Sequence, residues 1–270
     1  MKQSRREFLK QLTLEGTKTF VFGSLICITT EFALTDKLLA ISPKKKYKDP
    51  KTGQVKDLKV IYGFLVDTTK CIGCGSCVRA DKAENDVPDG FFRTWVERYT
   101  FYENGEVFID SPNGAYDGFG KAENKTTHEG QKAVRGYFVP KLCNHCIETP
   151  CIQVCPVGAS FKTDEGVVLI NQDVCVGCAY CVQACPFGTR YIDPRTGVAD
   201  KCTWCYHRVT KGLNPACVEI CPTHARIFGN ISDPDTEISQ ILRTHRVQVL
   251  KSYLGTNPKT RYIGLDSEVI

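Results

Sequence analysis

Fifteen of the sixteen cysteines in this 270-residue chain fall into four tight groups, and only Cys27 stands apart. The group spacings are C-x2-C-x2-C-x3-D, C-x2-C-x4-C-x3-C, C-x2-C-x2-C-x3-C and C-x2-C-x11-C-x3-C. So many thiols at such short intervals predict metal, cluster or disulfide chemistry. In chain order the groups are Cys71, Cys74, Cys77 with Asp81; Cys143, Cys146, Cys151, Cys155; Cys175, Cys178, Cys181, Cys185; and Cys202, Cys205, Cys217, Cys221.

The spacing separates the three kinds of site that use cysteine at this density. Disulfide frameworks belong mainly to short secreted domains with too little core, and this chain is longer. Zinc sites generally join two C-x2-C pairs across a longer spacer, whereas these runs place three cysteines at two-residue gaps. The third group, with Pro186 after it, reproduces the bacterial ferredoxin run C-x2-C-x2-C-x3-C-P. Iron–sulfur clusters are therefore favoured over zinc, and zinc over disulfides.

Short apolar segments flank the cysteine groups in a repeated order, which predicts the fold. Two segments are typical of strands that lead into a cysteine group: Gly63 to Val66 and Val167 to Ile170. Two others, starting at Arg190 and Arg226, are typical of strands that close each unit. Proline follows the last cysteine of three groups, which predicts a short helix just after it. The predicted class is α+β: two ferredoxin-like cluster-binding units in a pseudo-two-fold repeat, with an insertion between the first and second groups.

The chain is predicted to have six parts. We expect residues 117–133 to form a loop and one helix to run from about Asp235 to Leu250. The aromatic residues of the insertion are expected to form a local core, with a partner interface as the alternative. The parts are a signal segment (1–41), a basic linker (42–59), a first ferredoxin-like unit (60–82 with 195–235), an aromatic-rich insertion (83–136), a second unit (137–194), and a C-terminal helix and tail (236–270).

The first forty residues are typical of an export signal. The chain opens S-R-R-E-F-L-K from Ser4, and a mostly apolar stretch follows from Phe20 to Ile41. This layout resembles the bacterial twin-arginine signal, whose pathway exports folded, cofactor-bearing proteins. The uninterrupted apolar run, Thr19 to Thr30, is shorter than the about 20 residues that a spanning helix needs. We expect a location in the periplasm or on the outer face of the cytoplasmic membrane, and cleavage of the signal stays open.

Charge and motif content disfavour several function classes. The net charge is +5, with seven lysines between Lys44 and Lys59, and the one aromatic residue there, Tyr47, does not provide a series of rings to stack on successive bases. This run is therefore predicted to be a solvated linker that binds no nucleic acid. The sequence shows no glycine loop for a nucleotide after a strand and no convincing nucleophile–base pair. A non-catalytic role is the expectation.

The four groups, in this order, resemble the four-cluster iron–sulfur subunit of dimethyl-sulfoxide-reductase-type molybdoenzymes. The resemblance covers about residues 58–235 and includes L-C-N-H-C from Leu142, C-A-Y-C from Cys178, K-C-T-W-C from Lys201 and N-P-A-C from Asn214. It implies electron transfer within a hetero-oligomer, between a molybdopterin catalytic subunit and a quinone-reactive membrane subunit. Similar subunits serve nickel–iron hydrogenases, which is the alternative.

The resemblance also implies which residues share a cluster. It predicts three [4Fe-4S] clusters and a fourth that is either [3Fe-4S] or an aspartate-ligated [4Fe-4S]. Carried over, the ligand sets are site 1 (Cys71, Cys74, Cys77, Cys221), site 2 (Cys143, Cys146, Cys151, Cys185), site 3 (Cys155, Cys175, Cys178, Cys181) and site 4 (Cys202, Cys205, Cys217, Asp81).

Asp81 stands where the family usually has cysteine. Its carboxylate can ligate iron as a harder donor than thiolate, or the corner iron is lost and a three-iron cluster results. A third reading is that Asp81 only caps the helix after it. A changed cluster is favoured over capping alone, with ligation and iron loss weighted equally. His145 and His207, beside cluster cysteines, are expected to pack, with tuning of the potential as the alternative.

Overall fold

The computed structural model describes residues 46–48, 55–120, 127–266 and 269; the signal segment lies outside them. The strands found in this part form five sheets, and all but β4 and β7 are short. They are β1 (Lys46–Lys48), β2 (Val55–Asp57), β3 (Tyr62–Asp67), β4 (Thr94–Tyr102), β5 (Val107–Asp110), β6 (Thr127–His128), β7 (Gln131–Leu142), β8 (Ser160–Lys162), β9 (Val168–Ile170), β10 (Arg190–Ile192), β11 (Ala199–Lys201), β12 (Arg226–Asn230) and β13 (Thr260–Ile263).

Helices in the same part are mostly single turns. No helix there is both long and apolar enough to cross a bilayer. Short 3-10 turns occur at Pro112–Ala115 and Ser252–Leu254. The α-helices are α1 (Ser76–Asn85), α2 (Pro150–Gln153), α3 (Tyr180–Gln183), α4 (Tyr206–Val209), α5 (Ala216–Glu219) and α6 (Glu237–Thr244).

Strand β3 is the centre of the first ferredoxin-like unit. It pairs antiparallel with β12 and parallel with β13. Phe64, Leu65 and Val66 are completely buried, because both faces of this sheet are covered. Phe64 and Val66 join the main core, whereas Leu65 packs with Ile238 of α6 on the other face. The second unit contains two antiparallel hairpins, β8–β9 and β10–β11, and β11 lies beyond residue 194, where that unit was predicted to end. The four predicted flanking strands are thus confirmed.

The segment between the first two cysteine groups builds most of a four-stranded sheet of order β5-β4-β7-β6. Tyr99, Phe101 and Phe119 are buried in the main core, as the local-core interpretation expects. Residues 117–133 are only partly a loop, because β6 pairs with the start of β7 at residues 127–132. The long β4–β7 pairing continues this hairpin through to Leu142, immediately before the second cysteine group.

The C-terminal part differs from the expectation. The helix predicted for Asp235–Leu250 ends at Thr244, because His245 adopts an extended conformation and the backbone of Gln248 pairs with Tyr262. The tail is also more than a polar end: β13 completes the β3 sheet, and Tyr262 is completely buried.

The short helices precede the last cysteine of their groups instead of following it. Helices α2, α3 and α5 end two residues before Cys155, Cys185 and Cys221. The residue before a proline is disfavoured in the helical region, so each Cys-Pro step ends a helix. The prediction of a helix starting at the proline was wrong for this reason.

A buried ion pair ties the insertion to the second unit. Arg93 donates two hydrogen bonds of 2.8 Å to Asp200 of β11, and Tyr191 also donates to Asp200. We expect Asp200→Asn to lower the free energy of unfolding by about 3–5 kcal/mol, because it leaves a buried guanidinium uncompensated. Denaturant unfolding of the cluster-loaded protein measures this. Asp266→Asn, which breaks the exposed pair with Arg135, is the control and should cost at most about 1 kcal/mol.

Candidate iron–sulfur centres

Site 1 is formed by cysteines of the first group together with the last cysteine of the fourth group. Cys71, Cys74 and Cys77 line one cavity with Cys221, and Arg226 lines the same cavity. Burial raises the pKa of the Cys71 thiol to about 11, and the neighbouring Cys77 and Cys221 thiolates also raise it. Thiols gathered in this way need a positive centre to ionise, which bound iron supplies.

Site 2 is formed by the second cysteine group and the last cysteine of the third. Burial raises the pKa of Cys146 to about 12, and charges at Cys143, Cys151 and Cys185 contribute to the rise. Cys185 also affects the pKa of Cys151, so the two groups meet here. This exchange of the last cysteine is the pattern of two-cluster ferredoxins.

Site 3 is the most exposed of the four. Cys178 is exposed, and the structure brings the third group near Cys155 through packing of α2 against α3. The pKa of Cys155 is lowered overall. Burial alone would raise it, but backbone N–H groups of residues 157–160 donate hydrogen bonds to its sulfur, and together they outweigh burial. Cys175 Sγ likewise accepts from the N–H of Ala199 at 3.4 Å. Amide donors of this kind stabilise sulfur that carries negative charge.

Site 4 gathers Cys202, Cys205 and Cys217 around Asp81. Burial is the largest cause of the raised pKa of each of these three thiols, and the nearby Asp81 carboxylate raises each pKa further. Asp81 is 3% exposed and lies inside α1, whose N-cap is Gly75. The helix-capping interpretation of Asp81 is therefore wrong.

The Asp81 carboxylate has one oxygen that is satisfied and one that is not. Oδ1 accepts a hydrogen bond from Asn85 Nδ2 at 3.0 Å, whereas Oδ2 is buried without a partner. Burial raises the pKa of this carboxyl to about 6, and Arg93 and Arg226 oppose the rise. A buried carboxylate oxygen beside three thiols is suited to bind an iron atom.

Buried polar atoms that lack a hydrogen-bond partner lie at the same cysteine sites. Buried polar groups normally have hydrogen-bond partners, and each exception calls for an explanation. In the described residues, all such exceptions belong to residues in or against the cysteine loops, where cluster sulfurs can accept and iron can bind. The atoms are Asp81 Oδ2, Asn144 Nδ2 and Oδ1, His145 Nε2, Trp204 Nε1, Arg226 Nη1 and Thr256 Oγ1. The residues present therefore fit iron–sulfur clusters.

Two further observations concern the rival kinds of site. Across the described residues, no three His, Cys, Asp or Glu side chains are arranged to hold a single metal ion. The fifteen cysteines there are free, with no disulfide between them. A cubane cluster needs a different arrangement, with one protein ligand on each of several irons.

Sequence reasoning missed a buried aromatic contact between sites 2 and 4. His145, inside the Cys143–Cys146 loop, and Trp204, inside the Cys202–Cys205 loop, have ring centroids 3.9 Å apart. His145 Nδ1 accepts from the N–H of Val168 at 2.9 Å, and burial holds the pKa of this imidazole well below its usual range. His145 is thus neutral and packs on Trp204, while its Nε2 is one of the buried atoms without a partner, so its tuning of a potential stays a prediction. His207 is an exposed partner of Glu84.

Gly75 offers a sharp test of the site 1 loop. Its φ is +72°, and an added Cβ would lie 2.1 Å from the carbonyl oxygen of Ala115. Gly90 has a φ of +77° but open space around that position, so it is a matched control. We expect Gly90→Ala to cost about 1–2 kcal/mol of strain. Gly75→Ala adds a backbone clash, and we expect it to displace Cys74 and lower the iron content; equal iron in both variants would contradict this.

The fold and the sites together define a ferredoxin-type iron–sulfur protein with paired cluster domains. Residues 70–159 and 134–231 each match a 4Fe-4S dicluster domain family. The B subunit of tetrathionate reductase from Salmonella typhimurium is 38% identical over 272 residues, which covers 100% of this chain and 92% of that protein. The tetrathionate reductase B subunit from Archaeoglobus fulgidus is 46% identical over 76% of this chain and 82% of its own length.

The corresponding B component of polysulfide reductase from Wolinella succinogenes is 37% identical over 73% of this chain and 91% of that protein. The chain therefore belongs to the family of iron–sulfur B subunits found in tetrathionate, polysulfide, dimethyl sulfoxide and arsenate reductases. Its two dicluster domains confirm the predicted fold class of paired ferredoxin-like units.

Proposed function

We propose that this chain is a non-catalytic subunit of an exported respiratory oxidoreductase complex. It relays single electrons between a molybdopterin catalytic subunit and a quinone-reactive membrane subunit. The observation that carries the proposal is the presence of four cysteine-rich sites in one chain, spread over two dicluster domains. Each site, once loaded with its cluster, exchanges one electron at a time. The reductase subunits among the relatives support the same role.

The proposed ligands are the residues of sites 1 to 4 defined above. Sites 1, 2 and 3 each offer four thiolates and are assigned a [4Fe-4S] cluster. At site 4 the geometry favours ligation by Asp81 over loss of the corner iron. Asp81 Oδ2 is buried, lacks a hydrogen-bond partner and neighbours all three cysteines of the site.

The partner proposal is tested by purifying the full chain, with its complex, from cells that express it natively. We expect a larger subunit that contains molybdenum and a membrane subunit to co-purify, and reduced quinone analogues to reduce the clusters. A large subunit that contains nickel would instead support the hydrogenase alternative. Substrate turnover by the isolated chain would contradict the non-catalytic assignment.

Export is proposed from the sequence of residues 4–10 alone. Replacing Arg5 and Arg6 together with lysine keeps the charge but removes the paired arginines that the twin-arginine route reads. We expect the variant to accumulate, with its clusters, in the cytoplasmic fraction. Replacing Lys2 and Lys18, which lie outside residues 4–10, with arginine is the control and should leave export unchanged. Equal export of both variants would contradict this route.

A further inference from the structure

The internal repeat places an arginine at the same position in both ferredoxin-like units. Arg190 follows Cys185 by five residues, and Arg226 follows Cys221 by five, each within a C-P-x-x-x-R run. Each arginine is the first residue of the strand that closes its unit, β10 for Arg190 and β12 for Arg226. Equivalent positions in a repeat indicate an equivalent role.

Both guanidinium groups are buried without a carboxylate partner. Arg190 is 4% exposed and Arg226 is 1% exposed. Each is held by one hydroxyl at 2.9 Å: Arg190 Nη1 donates to Ser160 Oγ, and Arg226 Nη2 donates to Thr94 Oγ1. Among the described residues, no carboxylate forms an ion pair with either group. A buried cation is costly unless negative charge lies nearby, so its counter-charge must come mainly from the thiolates and their clusters. For Arg226 the Asp81 carboxylate of site 4 also contributes.

Each guanidinium contacts one site of its own unit and acts electrostatically on the other. Arg190 Nη2 donates to Cys151 Sγ of site 2 at 3.1 Å, and its charge also interacts with Cys181 of site 3. Arg226 lines the cavity of site 1, and its charge interacts with Cys77 there and with Cys217 of site 4. One cation is thus shared by two sites in both halves of the molecule.

We propose that Arg190 and Arg226 are potential-setting residues, each raising the reduction potentials of both clusters in its own unit. The proposal rests on the cluster-bearing function above. Reduction adds one negative charge to a cluster, and a buried cation beside it stabilises the reduced form more than the oxidised form. Because each arginine serves two sites, the potentials shift in pairs: sites 2 and 3 with Arg190, sites 1 and 4 with Arg226.

The test is a redox titration of the full-length chain, followed by electron paramagnetic resonance, for Arg190→Gln and Arg226→Gln. At a fixed potential we expect the ratio of reduced to oxidised form to fall about tenfold at the two affected clusters, which is about 59 mV for a one-electron couple. Site 4 identifies its unit, because its aspartate makes its spectrum differ from the others. Arg190→Lys and Arg226→Lys keep the charge and should keep the potentials close to those of the unsubstituted protein.

Paired shifts confined to one unit, with full iron content, are a result that a merely structural arginine would not produce. Unchanged potentials in an iron-loaded Gln variant, or equal shifts in both units, would overturn the proposal. If Arg226→Gln binds no iron, Thr94→Val is the substitute test, because it removes the hydroxyl that holds the Arg226 guanidinium. We expect it to lower the potentials of sites 1 and 4 alone. No shift at those sites would refute the potential-setting role of Arg226. Zinc or no metal in the unsubstituted chain would refute the proposed function instead.

Discussion

Removing iron with a chelator under reducing conditions is expected to abolish the cooperative unfolding transition of residues 55–266. The main core contains Cys77, Cys143, Cys202 and Cys217 themselves, so the clusters are part of what holds it together. The sheets of the second unit have two strands each, and isolated two-stranded hairpins are marginal in water. A structural metal site contributes about 10–16 kcal/mol in zinc-finger peptides, as much as the whole stability of a typical domain.

The measurement is near-ultraviolet circular dichroism during a thermal ramp, on the loaded protein, the iron-free protein and a sample reconstituted with iron and sulfide. Fixed aromatic contacts, such as that of Trp204 with His145, should lose their signal in the iron-free sample and regain it on reconstitution. An iron-free protein that melts at the same temperature as the loaded one would contradict this expectation.

Replacement of Asp81 is expected to change one cluster and leave three intact. Asp81→Ala removes the carboxylate that we assign as a ligand of site 4, so we expect about one iron fewer per chain and a three-iron signal in the oxidised state. Asp81→Cys supplies a fourth thiolate, and we expect a full cubane with a more negative potential, because thiolate is a softer and more electron-donating ligand. Iron analysis and electron paramagnetic resonance of anaerobically purified protein measure both effects.

Glu84 provides the matched control for Asp81. It lies three residues further along α1, but its carboxylate pairs with His207 and Arg208 near the surface. Glu84→Gln should therefore leave the iron content and the spectrum unchanged. If Asp81→Ala keeps the same iron content and spectrum as the unsubstituted protein, Asp81 is not a ligand, and the assignment of site 4 falls.

Most of the fold could be predicted from the cysteine spacing. It predicted the paired units because three thiols at two-residue gaps leave few ways to wrap a cluster, and β3, β9, β10 and β12 lie beside those groups as expected. The tail strand β13 was missed, because a short strand that joins a sheet from about 200 residues away leaves no periodic pattern of its own. The helix before it was predicted too long, since the Gln248–Tyr262 pairing that ends it is a tertiary contact.

The candidate ligands were predicted from the sequence, and their assignment to clusters stays a prediction, whereas the surroundings of the sites were not predicted. The contact of His145 with Trp204 joins two loops far apart in the chain, so no local pattern announces it. The burial of Arg190 and Arg226 likewise depends on tertiary packing, so it could not be predicted from local sequence. Their shared position five residues after a cysteine, however, was visible in the sequence. Asp81 was recognised as unusual because it stands where the resembled family usually has cysteine, but its position inside α1 was needed to exclude capping.

The central claim, that this chain holds four iron–sulfur clusters, is tested most directly by iron and labile-sulfide analysis of the anaerobically purified full-length protein. Electron paramagnetic resonance in the oxidised and reduced states accompanies it. The account predicts about sixteen irons and as many sulfides per chain, and magnetically interacting reduced cubanes. A colourless protein that contains zinc and no labile sulfide would contradict the account.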